Sequence, residues 1–178
     1  MYHEIRTKRL LLRPLKLSDL QSVYEYASDK ENTRYMYFLP YDTVEETAGF
    51  LSEAVKQWEK DTPDNYEFAI VLDGVLIGTI SLFLDENHET AELGWVLNKS
   101  HWHNGYAVEA ALAIKDFAIR VLRVKKLMAH CDYRNTASYR LMEKIGLKLE
   151  RDDGVRVYPK TKETARELAY SLVAEMQS

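Results

Sequence analysis

Between Ala91 and Ala111 an apolar segment, Ala91-Glu92-Leu93-Gly94-Trp95-Val96-Leu97, leads through a short polar break into Trp102-His103-Asn104-Gly105-Tyr106-Ala107-Val108-Glu109-Ala110. The first part reads as a strand and the second as a glycine turn that opens a helix. This junction constrains the chain strongly, because the strand must join a sheet and the helix must pack back on it. Ala107, Ala110, Ala111, Ile114, Phe117, Ala118 and Val121 recur at helical spacing and mark the packing face, whose small residues permit close approach. A helix that starts at such a turn presents unpaired backbone N–H groups and the positive end of its dipole. The amides of His103, Asn104, Gly105, Tyr106 and Ala107 are therefore suited to cradle a pyrophosphate without basic side chains.

Local signals place the other elements around this junction. Thr7 to Pro14 has the composition of a strand stopped by proline, and Ser18-Asp19 is a cap for a helix carrying Leu20, Val23, Tyr24 and Ala27. Thr43 with Glu46 forms a capping-box pattern for a helix ending near Lys60. Tyr66 to Leu72 and Val75 to Leu84 flank Asp73-Gly74, a strong two-residue hairpin signal, and Glu89 to Leu97 adds a third antiparallel strand. Leu127 to Asp132 reads as a short strand and Asn135 to Ile145 as a helix closed by Gly146. Strands around Lys148 to Tyr158 and Arg166 to Val173 complete the chain. This order predicts an α/β fold with a mixed sheet, in a single domain over residues 1–178 with no internal repeat or linker.

Bulk properties narrow the function. With 178 residues, 46% of them hydrophobic, the chain can form one sizeable core. A net charge of −4 and scattered basic residues give no long-range attraction for nucleic acid or anionic lipid. The first residues carry Glu4, Arg6, Lys8 and Arg9 without an apolar leader region, and the longest strongly apolar stretch, Val75 to Leu84, is too short to span a membrane. The single cysteine, Cys131, forbids an internal disulfide. Together these features predict a cytoplasmic protein with no membrane or direct nucleic-acid partner.

The residues around Gly105 carry a resemblance. Tryptophan three before the glycine, Tyr-Ala directly after it, Glu-Ala two further on and the preceding Ala-Glu-Leu-Gly-Trp strand together resemble the acetyl-CoA loop of the GNAT N-acetyltransferase superfamily. The branch most similar contains the ribosomal-protein N-terminal acetyltransferases. Asn135-Thr136-Ala137-Ser138-Tyr139-Arg140-Leu141-Met142-Glu143-Lys144-Ile145-Gly146-Leu147 resembles the family's second signature, a helix begun by asparagine and serine beside the cofactor and closed by Lys-x-Gly. The resemblance covers the whole chain. It implies a mostly antiparallel mixed sheet with flanking helices, in which the strand ending at Leu97 splays from the Leu127–Asp132 strand and acetyl-pantetheine bonds to the free edge at Trp95, Val96 and Leu97. The implied activity is acetyl-CoA-dependent acetylation of an amine acceptor, a protein N-terminus or a small amine, by direct attack in a ternary complex. A noncatalytic acyl-CoA-binding module is the alternative from another class.

The same resemblance assigns roles. Glu92 stands where relatives place a carboxylate that takes the amine's proton, and partial burial beside Leu93 and Trp95 would raise its pKa. Its bland alternative is a strand carboxylate paired with a lysine. Ser138 matches a hydroxyl near the sulfur that stabilises or protonates the leaving thiolate, with helix-start chemistry as the other reading. Many relatives carry a tyrosine where this chain has Met142, which cannot donate a proton, so Tyr139 is the fallback donor. Asn135 is read as a cofactor contact, a helix cap, or both. Tyr37 and Phe38, in the aromatic run from Tyr35 to Tyr41, lie where relatives form the lip of the acceptor site. Asp85, Glu86 and Glu89 form either an attractive negative field at its entrance or a solvated turn. Relatives often have lysine where this chain has Asn104, which leaves phosphate binding to amides. His101 and His103 lack the neighbours of a metal site, Cys131 reads as a core thiol, and Glu109 reads as structural.

Overall fold

The computed structural model describes residues 4–174. Along the chain come β1 (Ile5–Arg6), β2 (Leu10–Pro14), α1 (Leu20–Ala27), α2 (Val44–Trp58), β3 (Asn65–Leu72), β4 (Val75–Leu84), β5 (Thr90–Leu97), α3 (Tyr106–Arg120), β6 (Lys126–Asp132), α4 (Thr136–Lys144), β7 (Lys148–Val157) and β8 (Thr164–Val173). The strands form one eight-stranded sheet in the order β1-β2-β3-β4-β5-β6-β8-β7. Only β5 and β6 run parallel, so the sheet is mixed and mostly antiparallel, as expected.

The meander from β3 to β5 follows from local chemistry. Asp73 and Gly74 take φ of 49° and 84°, the left-handed pair that a two-residue hairpin needs to match strand twist. Thr43 Oγ1 accepts from the Glu46 amide and starts α2, while the Glu46 carboxylate accepts from the amide of Asp42, one residue before the cap. Alternation divides β3 between two layers. Phe68 and Ile70 join α3 in one core, with Phe68 stacked edge-on against Trp58 and Phe117 at ring distances of 5.0 and 5.6 Å. Ala69 and Val71 join α1 and α2 in a second core with Leu51 and Tyr26. A register shift between Ile70 and Val71 lies opposite Gly78 on β4, whose backbone has the β5 backbone close against it.

Candidate active site

The parallel contact between β5 and β6 is short. It pairs Thr90, Ala91 and Glu92 with Lys126, Leu127 and Met128, and the register stops there although both strands continue. β5 stays paired to β4 as far as Leu97, so from Leu93 onward its other edge is open. Hydrogen-bond parity decides what this edge offers. The Asn98 N–H donates to the Ile77 carbonyl at 2.8 Å, so by antiparallel alternation Gly94 and Val96 direct their peptide groups to β4 while Leu93, Trp95 and Leu97 direct theirs into the gap. The Leu97 carbonyl is already engaged by Trp102 Nε1 at 2.8 Å and Asn32 Nδ2 at 3.2 Å. Of the three edge residues expected from the sequence, Trp95 keeps that place and Leu97 offers only its amide. Val96 is corrected to a residue whose side chain lines the neighbouring cavity, and Leu93 replaces it at the edge.

The loop after β5 delivers helix α3 to the same end of the sheet. Gly105 precedes the helix at φ 78°, and His103 also takes a left-handed φ of 63°. The first helical bond that closes on the loop runs from the Glu109 amide to the Gly105 carbonyl, which leaves the amides of Tyr106, Ala107 and Val108 without intrahelical partners. Asn104 braces the turn, its side chain donating to the His101 and Trp102 carbonyls at 3.3 and 2.8 Å. Arg9 was not legible as part of this loop. It donates to the Asn104 carbonyl at 2.9 Å, bridges Glu109 at 2.7 Å and lies 4.4 Å from the Tyr106 ring centroid. Burial opposes ionisation of Glu109, but hydrogen bonds from Thr7 and Arg9 overcome it and hold the carboxyl below its ordinary range. Glu109 thus ties α3 to the start of β2. The geometry fits an anionic diphosphate on amides, with one guanidinium nearby.

Gly105→Val tests this loop. The change strains a left-handed position by about 1–3 kcal/mol. It also places a branched side chain before the free amides. We expect acetyl-CoA affinity to fall by about ten- to a hundredfold, the value of one or two charge-assisted hydrogen bonds, with the circular dichroism of the folded state retained. Titration calorimetry that finds wild-type affinity would remove the loop from the site.

On the α1 and α2 side of β3, β4 and β5 lies a cavity of about 620 Å³. Its lip carries Tyr37 and Phe38, exposed and edge-on to each other at 4.7 Å. Lys160 clamps the lip by donating to the Pro40 carbonyl at 2.6 Å and to Asp42 and Glu46 at 2.8 and 3.2 Å, and the Arg156 guanidinium sits 5.5 Å from the Tyr37 ring centroid. Most of the wall is apolar or aromatic. Asp85, Glu86 and Glu89 are not part of it. They lie in the β4–β5 connection, where Asp85 accepts from the Glu89 and Thr90 amides and Glu89 pairs with Lys125.

Two carboxylates on this wall differ in kind. Glu92 does face the cavity, yet its side chain is 49% exposed rather than enclosed, and it lies 3.0 Å from His130 Nδ1. That carboxylate raises the His130 pKa, against the opposing effect of burial. Glu67, on β3, is only 3% exposed and has the Ser81 hydroxyl as its side-chain partner. Burial pushes its pKa up to about 7 despite that hydrogen bond. The sequence contains a signal for Glu67, a single acidic residue inside the apolar run Tyr66-Glu67-Phe68-Ala69-Ile70-Val71, but its face and neighbours are set only by the sheet.

The start of α4 stands beyond the C-terminal end of β6. Asp132 there is fully buried and accepts from Arg134 Nε and Nη2 at 2.9 and 2.7 Å and from the Tyr158 hydroxyl at 2.6 Å. Burial opposes its charge, and these donors hold its pKa low. The turn they fix leads to Asn135, whose Oδ1 accepts from the Ser138 amide at 3.2 Å, the capping role. Ser138 is half-buried, Tyr139 packs against the core, and Met142 is fully buried within it. Cys131 is a buried thiol whose pKa burial pushes up to about 12, which removes it as an acyl carrier near neutral pH. Among the described residues no group of three or more His, Cys, Asp or Glu is placed to hold a metal ion, and no helix is long and apolar enough to cross a membrane.

A family model described as an acetyltransferase (GNAT) domain matches residues 9–148. The curated relative named Uncharacterized N-acetyltransferase YnaD, from Bacillus subtilis (strain 168), is 36% identical over 149 residues, covering 82% of this chain and 83% of the relative. Among solved structures, a GNAT-family acetyltransferase from Bacillus anthracis has a TM-score of 0.82 at 31% identity, over 96% of this chain and 98% of that one. RimL, described as a ribosomal alpha-N-protein acetyltransferase, has a TM-score of 0.81 at 14% identity over 98% of this chain and 96% of its own, a likeness of fold alone.

Proposed function

The chain belongs to the GNAT acetyltransferase family and is an acyltransferase, and from that premise we propose that it moves an acetyl group from acetyl-CoA to a primary amine by direct attack in a ternary complex. The observation that carries this reading is the open edge of β5. It has the amide-rich start of α3 at one end and the acidic, aromatic cavity on its α1/α2 side. Pantetheine bonded to Leu93 and Trp95 would set the thioester between the two, with the diphosphate on the amides of His103 to Ala107.

A peptide N-terminus is the first candidate acceptor, and a small amine is the alternative. Tyr37, Phe38 and the apolar wall suit an apolar side chain next to the reacting nitrogen, and Glu92 at the rim suits a cation on entry. In the transfer, the lone pair of the neutral amine forms the C–N bond while the carbonyl π pair moves to oxygen. Collapse of that adduct breaks the C–S bond, the pair leaves as thiolate, and the nitrogen gives up one proton to a carboxylate of the cavity wall. A peptide N–H on the open edge polarises the carbonyl. Ser138 is proposed to donate a hydrogen bond to the thiolate, whose pKa is about 8.5 by analogy with cysteine, and Asn135 to hold the helix start that presents it.

Calorimetry with acetyl-CoA and NAD, followed by a thiol-release assay with peptides and arylalkyl amines, tests the reading. We expect saturable binding of acetyl-CoA but not NAD, acceptor-dependent release of free thiol, and a product heavier by one acetyl group. Binding without acceptor-dependent release across the panel would instead mark a noncatalytic acyl-CoA module.

A further inference from the structure

The sheet register aligns three residues of the cavity floor. Glu67 on β3 is opposite Ser81 on β4, and Ser81 is opposite Gly94 on β5. The row ends at the open edge of β5, because pairing with β6 has already stopped at Glu92. With adjacent strands about 4.8 Å apart, Glu67 lies about 10 Å from the edge, a span covered by its own side chain, the Ser81 hydroxyl and one water. Gly94 leaves that span clear. A Cβ built there would meet only the Phe83 ring, at 3.7 Å. The Ser81 hydroxyl bonds the Glu67 carboxylate, and both line the cavity.

Resting on the acetyl-transfer reading, we propose that the proton leaving the acceptor nitrogen passes through a water above Gly94 and the Ser81 hydroxyl to Glu67, making Glu67 rather than Glu92 the terminal proton acceptor. The step balances. The nitrogen gives up one N–H proton as the C–N bond forms, Ser81 accepts one proton while passing its own to the carboxylate, and Glu67 later returns a proton to solvent. Glu92 is the weaker candidate because its carboxylate is half in water and faces His130.

Few groups compete with Glu67 for the titration. Glu67 acts electrostatically on the phenols of Tyr26 on α1 and Tyr41 in the α1–α2 connection, and burial first of all pushes both pKa values up, that of Tyr41 to about 12, so both stay neutral. Trp58 on α2 approaches only the Glu67 carbonyl. The remaining charges of the cavity are paired across it, His130 with Glu92 and Arg156 with Glu167. Burial of Glu67 itself sets its pKa near 7, a useful value for a base at neutral pH.

The test is the pH dependence of kcat at saturating acetyl-CoA and acceptor, for the wild type and the variants Glu67→Gln, Ser81→Ala, Gly94→Ala, Glu92→Gln and His130→Gln. The wild-type profile should fall below pH about 7. Glu67→Gln keeps the shape and the bond to Ser81. It should lower kcat about a hundredfold near pH 7 and move the limb toward the acceptor's own pKa. Ser81→Ala and Gly94→Ala should lower kcat more than they raise KM, while Glu92→Gln and His130→Gln should keep the limb. An infrared carboxylic-acid band that titrates near neutral pH and vanishes in Glu67→Gln should be seen without any acceptor. Persistence of the limb in Glu67→Gln, or its loss in Glu92→Gln alone, would overturn the assignment. A wild type that binds acetyl-CoA but transfers nothing would overturn the acetyl-transfer reading as well, and only the infrared band would then speak to Glu67.

Discussion

Gly78→Ala should cost about 3 kcal/mol of stability and disturb the open edge of β5 together with the fold. A Cβ at this position would stand 2.3 Å from the Val96 carbonyl oxygen and 2.9 Å from Leu97 Cα. Both are backbone atoms of β5, so no side-chain rotation relieves the clash. β4 and β5 must part at the end of their ladder, where the register pairs Gly78 with Leu97. The same backbone carries the Leu97 carbonyl that anchors Trp102 and Asn32. We expect a fall in Tm of about 6–12 °C and weakened acetyl-CoA binding in the fraction that remains folded. Gly94→Ala is the control one strand over, since it meets only an ordinary ring contact. Equal stability of the two variants would show that β5 yields at Gly78 and that the close approach is not a constraint.

Glu67→Gln should act on stability in the opposite direction. Burial raises the Glu67 pKa to about 7 from a reference of 4.5, so between these values the folded state binds more protons than the unfolded state. Stability contributed by this group is therefore fully present below pH 4.5 and lost as pH rises toward 7. A shift of this size corresponds to about 3 kcal/mol of destabilisation above pH 8. Glutamine carries no charge and escapes that cost. The variant should unfold at higher denaturant concentration than the wild type at pH 8, and the two curves should converge below pH 4. Carboxylates held at low pKa, such as Asp132 and Glu109, destabilise both proteins alike in acid, so the difference between the two isolates Glu67. If Glu67→Gln gains no stability at pH 8, burial does not raise the Glu67 pKa in the folded protein, and the near-neutral base assigned to it is lost. A more stable variant with a hundredfold lower kcat would instead show a site that holds its charge at the expense of the fold.

Local chemistry was enough for most elements. Asp73-Gly74 dictates its hairpin, Thr43 starts α2, and Gly105 opens α3, because each signal acts over a few neighbouring residues. The two family signatures were equally legible, since their residues are contiguous. Alternation within one strand also places Glu92 and Gly94 on a common face, but it cannot say which face meets the cavity. The Asn98–Ile77 bond settled the parity of β5 and moved the free edge from Val96 to Leu93. Asn135 is a further case in which one side chain serves the cap that was expected of it.

What the sequence alone determined was therefore the order of elements and the glycine turn that presents amides, both consequences of short-range stereochemistry, and the kinship of the chain, which two contiguous signatures carry. Only the tertiary structure decided that Arg9 braces a loop residue 95 positions later, that Glu92 faces His130, and that Glu67, Ser81 and Gly94 share one row ending at an open edge. The physical reason is register. Side chains from distant strands meet only once hydrogen-bond ladders fix which residues are opposite, and a shift of one residue would have turned every one of these groups to the other face of the sheet.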